Sequence, residues 1–263
     1  VRVADWALIL GSSSGFGEAA ARAFATAGYN IFGVHLDRKS TLPHVEEVVT
    51  ELRATGRDVE FFNVNAAQPA KRDDVVEHIR QRLDPSGEKV RVLLHSLAFG
   101  TLKPFIGPNG KGGLSQKELE MTLDVMANSL LYWVQALVDR GLMVEGGRVF
   151  SMTSTGDTHA WYSYGAVSAA KAALEAHTRQ LALELAPAGI TVNSIRAGVT
   201  DTPALRKIPG SDEMVAAAAQ RNPHKRLTTP EDVAHALVAL AQPETYWITG
   251  NVIGVDGGEE IAG

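Results

Sequence analysis

Short apolar runs alternate with longer amphipathic stretches along nearly the whole chain, and this alternation limits the available folds more than any other feature. Trp6–Leu10, Asn30–Leu36, Val59–Val64, Val90–His95, Gly147–Thr153, Ile190–Ile195 and Asn251–Val255 each read as a strand. Helical patterns fill the intervals at Gly17–Ala27, Leu42–Ala54, about Lys71–Leu83, Gln116–Leu142, Ser163–Ala186 and Pro230–Ala241. Strands this continuously apolar have to be covered on both faces, which predicts an α/β fold with a doubly wound parallel sheet of about seven strands. No linker or internal repeat interrupts the pattern, so residues 1–263 read as one domain.

The composition suits such a sheet, with 45% hydrophobic and 21% charged residues among 263. A net charge of −5 with interspersed signs argues against a nucleic-acid surface. There is no cysteine, which excludes disulfides, a thiolate nucleophile and Cys-based metal sites. The eight histidines occur without the i, i+4 pairing of a helical zinc site, so no metal is expected. No apolar run approaches ~20 residues, and the opening VRVADWALILG reads as a strand rather than a signal peptide. A cytoplasmic protein with no membrane partner is the expectation.

Two motifs carry chemistry. Gly11-Ser12-Ser13-Ser14-Gly15-Phe16-Gly17 lies between the first strand and the first helix, where glycines allow a tight turn and a close approach to a pyrophosphate. That placement makes the fold Rossmann-type, although the spacing is G-x-x-x-G-x-G and a plain tight connection is the alternative. Tyr164 and Lys171 lie seven residues apart in YSYGAVSAAK. On a helix this is about two turns, or roughly 10 Å of rise along one face. A phenol beside an ammonium is a proton donor whose ionised form is favoured by the neighbouring charge.

With the C-terminal Val255-Asp256-Gly257-Gly258, these motifs resemble the short-chain dehydrogenase/reductase family from about Ala4 to Gly258. The resemblance implies that Asn65 lies near the adenine, that Ser154 is the active-site serine and that Thr202 lies beside the nicotinamide carboxamide. It also carries cofactor contacts onto Gly11, Ser13, Ser14, Gly15, Phe16 and Gly17, onto Ala66, Ser96, Leu97 and Ala98, and onto Lys171, Gly198 and Thr200. Several positions depart from the usual family pattern. His95-Ser96-Leu97-Ala98 stands for Asn-Asn-Ala-Gly, Val167 occupies the usual tyrosine position, Ala197-Gly198 stands for Pro-Gly, and Met126 takes the place of an asparagine, with Asn128 two residues on. These departures resemble the divergent branch of enoyl-acyl-carrier-protein reductases, most closely the NADPH-dependent Bacillus-type form.

The displaced tyrosine has a physical rationale. In a ketone the acid protonates the oxygen on the carbon that receives hydride, whereas in an enoyl thioester charge develops on an oxygen two carbon–carbon bonds further on, at roughly 1.5 Å each. Moving the tyrosine three residues earlier shifts the donor by ~4.5 Å along a helix. The expected reaction is therefore reduction of a trans-2-enoyl thioester on acyl carrier protein, in fatty acid biosynthesis, with Tyr164, Lys171 and Ser154 as the catalytic set. Ser154 is equally well read as a strand-end serine that satisfies backbone groups. Tyr162 is a competing donor, with its neighbour Trp161 pointing instead to the acyl pocket. A carbonyl reductase of the same family and a non-catalytic nucleotide-binding protein are the rival functions.

For the cofactor, Asp37 lies about 20 residues past Gly17, where an acid could select NADH. Arg38 and Lys39 beside it offer two cations for the 2′-phosphate of NADPH, which is the preferred reading. His95 is either a catalytic imidazole or, as favoured here, a strand-end residue held by backbone hydrogen bonds. Residues 200–229, with Pro203, Pro209-Gly210 and Pro223, are the expected substrate lid, a helix over Asp212–Gln220 included. Leu205, Ile208, Met214 and Val215 would cover the substrate. Arg206, Lys207, Arg221, Lys225 and Arg226 would present positive charge to an acidic carrier, or else form a solvated basic loop. The resemblance implies a homotetramer joined through Gln116–Leu142 and Ser163–Ala186.

Overall fold

The computed structural model describes residues 5–262; the first four residues and Gly263, at the margins of the expected domain and likeness, lie outside the described part. Seven strands form one sheet: β1 (Trp6–Leu10), β2 (Asn30–His35), β3 (Val59–Asn63), β4 (Val90–His95), β5 (Arg148–Thr153), β6 (Thr191–Ala197) and β7 (Val252–Val255). Their spatial order is β3-β2-β1-β4-β5-β6-β7, and every pairing is parallel. This is the doubly wound Rossmann-type arrangement expected from the alternation.

Side chains of β1 show why both faces need a cover. Trp6, Leu8 and Leu10 enter one core cluster and Ala7 and Ile9 the other, and all five residues are buried. The first cluster is closed by α3 (Pro69–Leu83), α5 (Ser129–Asp139) and α6 (Gly165–Leu185). The second is closed by α1 (Gly15–Thr26), α2 (Leu42–Ala54) and α8 (Pro230–Leu240). The chain reverses direction across the sheet between β1 and β4, and the strand C-termini there open into the crevice where such folds bind ligands.

Three boundaries differ from expectation in ways that matter. The single helix expected over Gln116–Leu142 is α4 (Gln116–Leu123), a π-turn (Asp124–Asn128) and α5, ending at Asp139. Thr122 and Ser129 flank the turn, and each hydroxyl bonds the carbonyl four residues back, at 2.8 Å to Glu118 O and to Val125 O. Such bonds compete with the helical ladder and bend it. β3 stops at Asn63, so Asn65 lies past its end rather than on it. α6 starts at Gly165, which places Tyr164 at the N-cap, just outside the helix, after Ser163 with φ +65°. α7 (Ser211–Arg221) covers the helix expected inside 200–229.

Candidate active site

A cleft of about 720 Å³ opens at the C-terminal ends of β1, β4, β5 and β6. Its cofactor end is built by glycines that the packing demands. A Cβ on Gly17 would lie 2.0 Å from Gly11 O, and one on Gly11, where φ is +89°, would lie 2.4 Å from Ser96 O. α1 begins there with Ser14 at its N-cap and no side-chain cap, so its first-turn N–H groups are left for an anion. Ser14, Gly15 and Phe16 line the cleft, opposite Ser96, Leu97 and Ala98 from the end of β4 and Gly198, Thr200 and Thr202 beyond β6. Thr200 Oγ1 donates to Gly198 O at 2.9 Å, and Leu205 N donates to Thr202 Oγ1 at 3.2 Å, which hold that wall in shape. This cradle suits a pyrophosphate and an attached nicotinamide ribose.

Other expected cofactor residues stand apart from the cleft wall. Ser13 faces the Asp37 carboxylate, on the far side of the turn from the cleft. Burial raises the Asp37 pKa, but bonds from Ser13, Thr41 and His35 outweigh it and hold the carboxyl below its usual value. Arg38 and Lys39 are exposed. Asn65 is exposed, its side-chain oxygen accepting from Ala67 N at 3.0 Å, and Ala66 is buried with its carbonyl taken by Trp133 Nε1 at 2.9 Å.

Tyr164, Ser154 and Lys171 meet at the other end of the cleft. Lys171 is 7% exposed and donates from Nζ to Met152 O at 2.6 Å. Burial pulls its pKa down to about 8, partly offset by Glu175. Burial raises the phenol of Tyr164, against a smaller lowering by the Ser154 hydroxyl. The lowering by Lys171 expected from sequence is overridden: the ammonium points at a carbonyl, and desolvation sets the phenol's acidity. Ser154 Oγ is buried without a well-formed hydrogen bond in the protein, so it faces the phenol with its own capacity unspent.

The wall around these groups is apolar. Met126 and Val167 line it, and a Cβ on Gly100 would lie 2.9 Å from atoms of both. Val167, at the position expected to hold the family's tyrosine, is therefore buried against Gly100 and Met126 on the cleft wall. Asn128 is turned away by the π-turn, and its Oδ1 lies 3.1 Å from His177 Nε2. His95 is buried, with Nε2 2.8 Å from Ser129 Oγ. Because Ser129 spends its proton on Val125 O, His95 donates that bond. Burial, then the Lys171 charge, pull its pKa to about 3, so the bond that positions it comes from a serine side chain and the ring does not titrate near neutrality.

Tyr162 is 72% exposed and absent from the cleft wall, which removes it both as a donor and as a pocket residue. Trp161 does line the cleft, anchored by Nε1 donating to Pro209 O at 3.0 Å. From the segment 200–229, Leu205, Ile208 and Met214 line the cleft and Val215 does not. Its cations are mostly committed. Arg206 pairs with Asp201 and Asp212, Arg226 with Asp232, and Lys225 Nζ donates to Gln220 O at 2.9 Å. Arg221 Nη2 lies 3.0 Å from Glu259 Oε1, a carboxylate 3% exposed that also accepts from Val199 N. Lys207 lines the cleft and makes no ion pair among the described residues.

Sequence reasoning passed over a buried polar cluster behind Lys171. Thr153 Oγ1 donates to Glu175 Oε1 at 2.8 Å, and Arg196 Nη2 lies 3.0 Å from Asp157 Oδ2 and 3.6 Å from Glu175 Oε1. One signal for it was present, since Glu175 lies four residues after Lys171 and hence on the same helical face.

The sequence matches the family model described as enoyl-(acyl carrier protein) reductase over residues 11–260. An uncharacterized oxidoreductase of Mycobacterium tuberculosis is 32% identical over 255 residues, covering 96% of this chain and 90% of that protein. An NADH enoyl-acyl-carrier-protein reductase of Nostoc is 33% identical over 190 residues, covering 71% and 72% of the two chains. Among solved structures, a short chain dehydrogenase from Burkholderia cenocepacia in complex with NADP superposes with a TM-score of 0.82 at 26% identity, covering 99% of this chain and 100% of that one.

Proposed function

The chain belongs to the short-chain dehydrogenase/reductase family, in its enoyl reductase-like branch, and on that premise we propose that it reduces trans-2-enoyl thioesters to saturated acyl thioesters. It is an oxidoreductase that uses a nicotinamide cofactor. One observation carries the finer reading. The phenol on the cleft wall is that of Tyr164, at the mouth of α6, while the position three residues on is a packed valine. A donor set back in this way suits an oxygen remote from the carbon that receives hydride.

A nicotinamide cofactor held in this cleft would supply the hydride for the β-carbon of the substrate. Ser14, Gly15 and Phe16 would hold its pyrophosphate, Lys171 its nicotinamide ribose and Thr202 its carboxamide. Tyr164 hydrogen-bonds the thioester oxygen, where negative charge develops, and such a placed donor is the largest contribution a site of this kind makes. The raised phenol pKa keeps Tyr164 protonated until that charge appears. Ser154, with its unspent hydroxyl, orients the phenol. Phe99, Leu102, Trp161, Ile208 and Met214 exclude water and receive the acyl chain.

NADPH is the proposed cofactor. Both Asp37 oxygens are engaged within its own turn, Oδ2 with His35 Nδ1 at 2.9 Å and Oδ1 with Thr41 Oγ1 at 2.7 Å, leaving the exposed Arg38 and Lys39 for a 2′-phosphate. Acyl carrier protein is the proposed carrier and meets the cleft at Lys207, with residues 200–229 acting as the lid of a cytoplasmic enzyme. A homotetramer joined through the segments 116–142 and 163–186 stays the proposed assembly on the resemblance alone, with Leu183 the one large exposed apolar side chain of these segments among the described residues, and light scattering tests it. The deciding experiment is cofactor oxidation with crotonyl and acetoacetyl thioesters in parallel. Turnover of the enoyl substrate alone is expected; preference for the ketone makes the chain a carbonyl reductase, and binding without consumption makes it a nucleotide-binding protein.

A further inference from the structure

The phenol of Tyr164 stands on a turn with little packing of its own. Every residue from Thr158 to Tyr162 is exposed. Ser163 lies in the left-handed region at φ +65°, a conformation that a serine keeps only where its neighbours impose it. Tyr164 N donates back to Trp161 O at 3.1 Å and closes the turn. The ring itself rests against backbone, since a Cβ on Gly156 would lie 2.5 Å from Tyr164 Cε1.

The side chain of the same Trp161 reaches into the segment 200–229. Its Nε1 donates to Pro209 O at 3.0 Å, and its ring lies over Gly210, where a Cβ would come within 3.3 Å of Cζ2. Gly210, at φ +80°, is the N-cap of α7. The far end of α7 is pinned. Arg221 pairs with buried Glu259, Asn222 is 2% exposed and donates from Nδ2 to Asp256 O at 2.8 Å, and Ala218 is buried. The near end has no such hold. From Pro203 to Ala217 no residue is buried. The indole bond to Pro209 O is the one hydrogen bond, among the described residues, that ties this stretch to an element outside 200–229. Leu205, Ile208 and Met214 on the same stretch line the cleft. A single side chain thus joins the cover of the substrate to the turn that carries the acid.

We propose that Trp161 is a positioning residue that makes the aim of Tyr164 depend on closure of residues 203–217 over the substrate; the inference rests on the reductase reading above. With the stretch closed, Pro209 O fixes the indole, and Trp161 O in turn holds Tyr164 N at the mouth of α6. With the stretch open, that bond is lost, the left-handed turn at Ser163 relaxes, and the phenol leaves the position that meets the thioester oxygen. The pinned end at Arg221 and Asn222 serves as the hinge. Trp161 acts here through its N–H, apart from the apolar wall that its ring gives to the acyl chain.

The test compares wild type, Trp161→Phe, Tyr164→Phe and the double variant on crotonyl and trans-2-decenoyl thioesters of N-acetylcysteamine. Trypsin cleavage after the exposed Lys207 is measured beside it. Phenylalanine keeps an aromatic ring on the cleft wall and removes the N–H. Loss of that one hydrogen bond should speed cleavage by about fivefold. In Trp161→Phe, kcat should fall by about tenfold on both thioesters as the acid is displaced, with KM for NADPH unchanged. In the Tyr164→Phe background the same substitution should lower kcat no further, because Trp161 acts through the phenol it places. A loss confined to KM for the decenoyl substrate, or losses that multiply in the double variant, would overturn the proposal and leave Trp161 as a wall of the acyl pocket. Cleavage at the wild-type rate would overturn it as well. A wild type inactive on both thioesters refutes the reductase reading instead, whatever the proteolysis shows. If Trp161→Phe fails to fold, Gly210→Ala presses on the indole from the lid side and carries the same readouts.

Discussion

Replacing Lys171 by methionine should stabilise this protein while ending its catalysis. The ammonium is 7% exposed, and its pKa falls from 10.5 to about 8. At 1.36 kcal/mol per unit, that fall corresponds to about 3 kcal/mol of preference for the neutral amine, borne by the folded state whenever Lys171 is charged. Methionine fills a similar volume without charge, but it gives up the charge-assisted bond to Met152 O, worth about 1.5–3 kcal/mol. A net gain of up to about 1.5 kcal/mol at pH 7 is expected. The pH dependence has a defined sign. Below pH 8 both folded and unfolded chains are protonated at Lys171, and the wild type carries the whole penalty. Between pH 8 and 10.5 the folded chain holds fewer protons than the unfolded one, so wild-type stability rises relative to the variant. Above 10.5 the advantage of methionine is gone. Urea unfolding of both proteins at intervals from pH 7 to 10.5 measures this directly. A stability difference that stays constant over that window, or a variant less stable at pH 7, would refute the claim that Lys171 is held charged at a cost to the fold.

Tyr164→Phe should lower kcat on the enoyl substrate by about 10²–10³-fold with little change in cofactor binding, because a transition-state donor is lost; steady-state kinetics with cofactor titration separates the two. Gly17→Ala should abolish cofactor binding and lower the melting temperature, since its Cβ would sit 2.0 Å from a backbone oxygen, as calorimetry and cofactor fluorescence would report. Lys207→Glu should raise KM for a carrier-bound substrate far more than for an N-acetylcysteamine thioester, with a steep dependence on salt. Arg221→Glu should impair both substrates equally, because it leaves Glu259 buried and unpaired against a second acid.

The parts of the fold legible in the sequence were those governed by local pattern. Fully buried parallel strands such as Trp6–Leu10 show as unbroken apolar runs, and the turn at Gly11–Gly17 shows because packing excludes a Cβ at Gly11 and at Gly17. Tyr164 and Lys171 were visible for the same reason, being linked by helical spacing. The π-turn was not, since residues 116–142 read as uniformly helical and the hydroxyls of Thr122 and Ser129, which bond back to the helix backbone on either side of it, leave no periodic signal. The charges of residues 200–229 were read as free because the partners of two lie elsewhere: Glu259 is 38 residues from Arg221, and Asp232 lies on α8. The Glu175–Asp157–Arg196 cluster combines three elements, and periodicity carries no information about such a meeting.

The π-turn also separates two jobs that one helix would otherwise have to do in a single phase. Within it, Met126 faces the cleft; downstream, Leu130, Trp133, Val134 and Leu137 are locked into the core against the sheet. A regular α-helix advances about 100° per residue, so the face shown to substrate would dictate the face shown to the sheet. Widening one turn resets that angle. The wall of the cleft can therefore drift in polarity or size through changes around residues 122–128 while the packing surface of α5 keeps its alignment. Recognition and stability become separately adjustable along one continuous stretch of backbone.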